Sequence, residues 1–181
     1  MTRPRRYTFG GHVYHVLNRG IHRQTLFARA DDYLYFQELM LRAAVRVPMR
    51  IVAYCLMPNH WHLVLWPELD GAISAYIQWL AGTHACYFNT RHSLTGHVYQ
   101  GRFKAVSVGD ERHLLTLLRY VEANPVRAGL VQRAEDWMWS SVGEARLSAL
   151  TDRLVTRPAN WLDILAGSAP EPARRSVVLG S

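Results

Sequence analysis

The stretch "RIVAYCLMPNHWHLVLW" (50–66) holds two apolar runs joined by Pro58-Asn59. Proline presets φ and asparagine tolerates left-handed backbone, so this dipeptide is turn chemistry, and the runs on either side read as a buried strand over 50–57 that returns over 60–66. Residues two apart on a strand share a face and stand roughly 6.6–7 Å apart along the backbone. His60 and His62 therefore project together, close enough for both imidazoles to reach one metal ion, while Trp61, Leu63 and Leu65 face the other way. By itself, an H-x-H pair on a strand is more often two hydrogen-bonded histidines than a metal site.

Working outward, "HVYHVLN" (12–18) alternates and is rich in β-formers, which predicts a strand. Asp31 offers an N-cap for a helix through about Val47, with Phe36, Leu39, Met40 and Ala43 as its apolar stripe and Pro48 as its stop. After the hairpin, Ile73, Ile77, Leu80, Ala81, His84, Tyr87 and Phe88 recur at helical spacing, and "NTRHSLTGH" (89–97) reads as a polar loop. "VYQGRFKAVSV" (98–108) alternates as a strand, and Asp110 caps a helix to about Ala123. The order is β-α-β-β-α-β plus a helix. It predicts an α+β fold, a ferredoxin-like βαββαβ antiparallel sheet with helices on one face, leaving the other face for the last helix or a ligand.

Apolar residues make up 49% of the 181, enough for a core without staples. The cysteines Cys55 and Cys86 show no C-x-x-C spacing, no export signal precedes them, and no apolar stretch approaches a membrane span. A soluble, reducing, cytoplasmic (nucleoid-associated) setting is expected. Charge is 21 basic against 14 acidic, net +7, and every basic residue but Lys104 is arginine. Arginine grips phosphate and stacks on bases, so the bias is compatible with nucleic acid. Two windows carry no acid: residues 1–30, with Arg3, Arg5, Arg6, Arg19, Arg23 and Arg29, and residues 71–109, with Arg91, Arg102 and Lys104. Folded together they could form one groove.

On the helix over 110–123, Leu114, Leu118 and Val121 define the core-facing stripe at about 100° per residue. Tyr120 lies about 120° off that stripe, and Asn124, one turn later, can meet the same neighbour. Spacing leaves other readings open: Tyr120 as an amphipathic boundary residue, and Asn124-Pro125 as an ordinary helix restart ended by Gly129.

The ordered set "YHVLNRG" (14–20), "MPNHWHLV" (57–64), "GHVYQGRFKAV" (96–106), "YVEANPVRAGLV" (120–131) and "WMWSS" (137–141) resembles the REP-associated tyrosine transposases, single-tyrosine members of the HUH endonuclease superfamily. The likeness spans roughly residues 7 to 145. It implies the same βαββαβ fold and a metal-dependent endonuclease and strand transferase for single-stranded or REP-type hairpin DNA, working through a 5′-phosphotyrosine. It implies Tyr120 as nucleophile, His60 and His62 as metal ligands and Asn124 as the third ligand, with Mg²⁺ or Mn²⁺ as the ion. Arg19, Arg23, Arg102 and Lys104 fall in its motifs and are the expected backbone contacts, with Arg5 and Arg6 adding affinity from an N-terminal arm. Tyr99 and Phe103 are candidates for base stacking or for sheet core. The expected organisation is a catalytic domain over 1–130, an extension over 131–166 packed on it and a flexible tail over 167–181. A monomer is favoured over a dimer. The competing readings are a non-catalytic single-strand or hairpin binder and a zinc-dependent hydrolase.

Overall fold

The computed structural model describes residues 7–143 and 156–168. Its elements run β1 (Tyr14–Arg19), α1 (Ala30–Arg46), β2 (Met49–Met57), β3 (His60–Pro67), α2 (Ala72–His92), β4 (Lys104–Ser107), α3 (Glu111–Glu122), α4 (Asn124–Arg127) and α5 (Trp161–Ala166), with 3₁₀ turns at Ile21–Arg23 and Ala134–Asp136. The four strands form one sheet in the order β2-β3-β1-β4, every neighbouring pair antiparallel. The β-α-β-β-α-β order is thus the one read from the periodicities. α1 and α2 cover one face and α3, α4 and α5 the other.

Alternation explains the two faces. In β3, Trp61, Leu63 and Leu65 are fully buried against α1 and α2, whereas Val64 joins the cluster under α3. β2 keeps phase only because its register with β3 shifts between Ile51 and Ala53. Val52 and Ala53 consequently both face α3, after which Tyr54 and Leu56 point to α1 and α2, and Cys55 and Met57 to α3. Both cysteines are free, Cys55 buried and Cys86 exposed.

The hairpin tip is clamped. Leu26 N and Phe27 N donate to the Pro58 carbonyl at 2.7 and 3.0 Å, and Gly20 N donates to the Asn59 carbonyl at 2.9 Å. A Cβ at Gly20 would lie 2.5 Å from the Gln24 carbonyl oxygen, so only glycine lets the chain pass this closely.

Several expected boundaries move. The first helix is capped from Arg29 rather than Asp31; buried Asp32, in its first turn, accepts from Ala28 N and Arg29 N, both at 3.0 Å. Asp32 also pairs with Arg91 at 3.3 Å, so that member of the second basic window is spent inside the fold. α2 runs on through 89–92 to a left-handed Ser93, because polar residues on an exposed helical face break no periodicity. The last strand is shorter than 98–108: Tyr99 makes an isolated bridge to Gly20 and the chain bends before Lys104. Asp110 caps α3 as expected, accepting from His113 N at 2.7 Å.

Chain beyond Gly129 packs on the sheet. Leu56 N donates to the Trp139 carbonyl, Ser141 N to the Tyr54 carbonyl, both at 2.9 Å, and Trp137 Nε1 to the Leu56 carbonyl at 3.0 Å. These bonds cover the open edge of β2. Trp161 and Leu165 bury in the cluster under α3. Of the expected tail, Gly167 and Ser168 continue α5 with backbone bonds to Asp163 and Leu165, and 169–181 lie outside the described residues. No described helix is long and apolar enough to cross a membrane.

Candidate active site on the open sheet face

Directly paired residues on neighbouring strands point to the same side of a sheet. Met57 pairs with His60 and His60 with Arg19; Cys55 pairs with His62, His62 with Leu17, and Leu17 with Lys104; Val64 pairs with His15, and His15 with Val106. Three rows thus put His15, His60, His62, Arg19 and Lys104 on the face that α3 covers only in part. Arg23 follows the end of β1, and Arg102 precedes the start of β4 at that same end of the sheet, where Gln100 N donates to the Arg19 carbonyl at 3.0 Å. Arg19, Arg23, Arg102 and Lys104, far apart in sequence, therefore lie toward the same end of the sheet as His60. Arg5 and Arg6 lie outside the described residues.

His15 is the functional candidate that sequence reasoning missed. Its Nε2 lies 2.9 Å from His62 Nδ1, and the two rings stack with centroids 5.1 Å apart. His60 stands edge-on to His62 at 5.0 Å, and its Nδ1 donates to Asn59 Oδ1 at 2.7 Å. The signal was present in "YHVLN": Tyr14 and Val16 face the core, so His15 had to face His62's side.

Each imidazole of the pair thus has its Nδ1 engaged within the protein. His62 Nε2 is buried and has no hydrogen-bond partner. If His62 Nδ1–H donates to His15, the lone pair on Nε2 is free, and the Asn59 bond leaves His60 in the same state. Burial lowers His15 to about 4; burial, then the nearby Arg19 charge, lowers His60 to about 4. His62 sits well below its ordinary value through burial first and then the positive charge of His15, His60 and Arg19. All three rings are neutral near pH 7, which is the metal-binding form of imidazole.

Tyr120 leans on this cluster from α3. Its ring centroid is 5.6 Å from His62 and 6.0 Å from His15, edge-on to both, and 41% of the residue remains exposed. One turn later, Asn124 Nδ2 donates to the Tyr120 carbonyl at 2.9 Å, which leaves Oδ1 as the free end of the amide. Asn124 is thus the first residue of α4, its side chain folded back, and does not cap the restart. Among the described residues no group of three or more His, Cys, Asp or Glu side chains could hold a metal ion. Two imidazole Nε2 atoms and an amide oxygen, by contrast, are a donor set compatible with a hard or borderline divalent cation.

Glu122, two residues past Tyr120, anchors the helix from below. Its fully buried carboxylate accepts from Arg157 at 2.5 and 3.3 Å, Trp161 Nε1 at 2.6 Å and Ser141 Oγ at 3.0 Å. The chain after the last strand thereby fixes the segment that carries Tyr120. Tyr99 takes the core reading: its hydroxyl lies 2.7 Å from His84 Nδ1 and accepts from Trp61 Nε1 at 3.3 Å. Phe103 packs on the edge of the same core.

Known proteins resemble this chain in sequence and in fold. A Haemophilus influenzae protein provisionally described as a REP-associated tyrosine transposase is 27% identical over 121 residues, covering 61% of this chain and 69% of that protein. The REP-associated tyrosine transposase of Escherichia coli K12 is 25% identical over 146 residues, 78% of this chain and 82% of that one. The solved structure of a REP-associated tyrosine transposase bound to a REP hairpin superposes with a TM-score of 0.66 at 21% identity, over 87% of this chain and 93% of its own, a likeness of fold. The sequence model of the family described as "Transposase IS200 like" matches residues 8–124, and with well over half of its length accounted for, this chain belongs to that family of DNA-processing enzymes.

Proposed function

We propose that this protein nicks and rejoins single-stranded DNA at REP-type hairpins, with Tyr120 as nucleophile and His60, His62 and Asn124 as ligands of a divalent ion, Mg²⁺ or Mn²⁺. The observation that carries the reading is the half-exposed Tyr120 ring set against His62, whose buried Nε2 has no partner. Hairpin DNA is proposed as substrate because the structural relative is bound to one. Tyr120 meets the histidines of its own chain, which supports a monomer as the working unit.

In the proposed reaction the Tyr120 hydroxyl attacks a backbone phosphorus. The Oη–P bond forms as the P–O3′ bond breaks, the phenolic proton is lost, and the departing 3′ oxygen takes up a proton. A 5′-phosphotyrosine retains the energy of the broken phosphodiester, so a second 3′-hydroxyl can reverse the step and join strands. A bound divalent ion would supply charge stabilisation to the phosphoryl oxygens. His15 holds His62 in the ring orientation and tautomer that frees Nε2, and Asn59 does the same for His60. Arg19, Arg23, Arg102 and Lys104 draw the strand to that end of the sheet; such contacts position rather than select sequence.

The test is a hairpin oligonucleotide with single-stranded flanks, incubated with protein and Mn²⁺ or Mg²⁺ and resolved under denaturing conditions. Wild type is expected to form a covalent adduct whose mass maps to Tyr120, and Tyr120→Phe none. An undiminished adduct in Tyr120→Phe sinks the assignment of the nucleophile. Cleaved DNA with unmodified protein would instead identify a hydrolase.

A further inference from the structure

The outer side of α3 carries a feature that the proposed chemistry leaves unused. A concavity of about 340 Å³ opens beside Tyr120, lined by Thr116, Arg119, Tyr120, Arg127 and Ser168. Thr116 and Tyr120 stand one turn apart on α3, α4 contributes Arg127, and Ser168 lies two residues past the end of α5. The polar groups of its lining are two guanidiniums and three hydroxyls, with no carboxylate among them.

The two arginines differ from others in the molecule. Arg42, Arg91, Arg133 and Arg157 each pair with a carboxylate, on Glu38, Asp32, Glu135 and Glu122. Among the described residues, neither Arg119 nor Arg127 does. Arg119 Nε instead donates to Ser168 Oγ at 3.4 Å, and the Arg127 guanidinium lies 5.6 Å from the Tyr120 ring centroid. Guanidinium forks beside hydroxyl donors fit phosphate oxygens, which accept several hydrogen bonds at once. The volume is at the small end for ligand sites, suiting one phosphate and its sugar rather than a length of strand.

We propose that this concavity is an anion subsite seating a backbone phosphodiester of the single strand next to the one Tyr120 attacks, with Arg119 and Arg127 as its ligands. The placement rests on the reading of Tyr120 as nucleophile. His60 and His62 serve the attacked phosphate from the sheet side, whereas the concavity is lined by residues of α3 and α4 and by Ser168 just past α5. A strand running past Tyr120 crosses both, and a second held phosphate fixes its direction and its distance from the phenol.

The test is the salt dependence of binding to a labelled single-stranded oligonucleotide of mixed sequence, with adduct formation on the hairpin followed separately. Arg119→Gln and Arg127→Gln should each flatten the slope of log K against log[salt] by about 0.7, the share of one phosphate contact on a single strand. Arg42→Gln, on α1 across the sheet, should leave the slope as it is. Both arginines are exposed, so unchanged thermal midpoints are expected to show that the variants fold. Wild-type slopes in both variants overturn the subsite, even where the Tyr120 adduct forms normally. Flattened slopes without any adduct support a phosphate site while removing Tyr120 from the chemistry. If the wild-type protein binds no single strand, both readings fall.

Discussion

His84 and His62 are two nearly buried histidines on opposite sides of one sheet, and their immediate bonding is alike. His84 Nδ1 meets a tyrosine hydroxyl at 2.7 Å and His62 Nδ1 meets another imidazole at 2.9 Å, while the Nε2 of each is buried without a partner. Burial depresses both pKa values, His84 to about 4. The difference is the second ring of neighbours. His84 is surrounded by Phe27, Phe36, Phe88 and Tyr99, with centroids 5.0 to 6.2 Å away, and feels only the Asp32 charge, whereas His62 has His15, His60, Tyr120 and the Arg19 charge. A free imidazole nitrogen facing aromatic carbon is a tolerated cost of packing. The same nitrogen facing other donors and a half-exposed phenol is the start of a site.

Substitution at the two positions should dissociate stability from chemistry. His62→Ala is expected to reduce metal-dependent adduct formation by more than about 100-fold, since even partners behind a metal ligand are commonly worth 10–100-fold. His84→Ala should leave the adduct rate of the folded fraction close to wild type. It opens a cavity among three phenylalanines and removes one of the two partners of the Tyr99 hydroxyl, at a cost of about 2–5 kcal/mol in urea unfolding. Equal loss of adduct in both variants, at matched folded fraction, breaks the distinction.

Much of this contrast is legible in the sequence. The period-2 pattern of "HWHLVLW" separated the histidine face from the Trp61 face, and helical spacing set Tyr120 off the Leu114–Leu118–Val121 stripe. His84 read as one more member of the apolar face of α2, which is where it sits. What could not be read were the cross-strand partners. His15 becomes significant only through its registration beside His62, and that β1–β3 register is a long-range pairing that composition does not reveal. Glu122 reads as a surface residue of an amphipathic helix until Arg157 and Trp161 fold back over it. Alternation through "VYQGRF" predicts a longer β4, although the backbone there leaves the ladder before Lys104.

Acid should expose the cost of the apolar imidazole. The folded-state pKa of His84 lies below its unfolded value, so between pH 6.5 and about 4 the unfolded chain binds more protons and stability falls as pH falls. The contribution is intact above 6.5 and, for His84 alone, about 3 kcal/mol is lost by pH 4. Asp32, whose charge opposes the depression, already moderates it. Urea midpoints measured across that window should decline, and His84→Phe should flatten the decline without touching the behaviour of the His15–His62 face. A slope indifferent to His84→Phe would mean that His84 already carries a proton in the folded state.

The smallest effect probes the bond that sets His62 apart. Where His62 Nδ1–H donates to His15, His15→Ala removes its acceptor, so His62 can adopt the other tautomer and place its proton on Nε2. Mn²⁺ affinity and adduct formation should then weaken together by about 10–100-fold, roughly 1.4–2.7 kcal/mol, with little change in thermal midpoint. His15→Gln retains an acceptor at similar reach and should recover part of the loss, whereas His15→Leu, closer in volume than alanine, should not. If leucine restores affinity as well as glutamine does, His15 acts on His62 by filling space. The site would then owe its neutral His62 to burial alone, as His84 does.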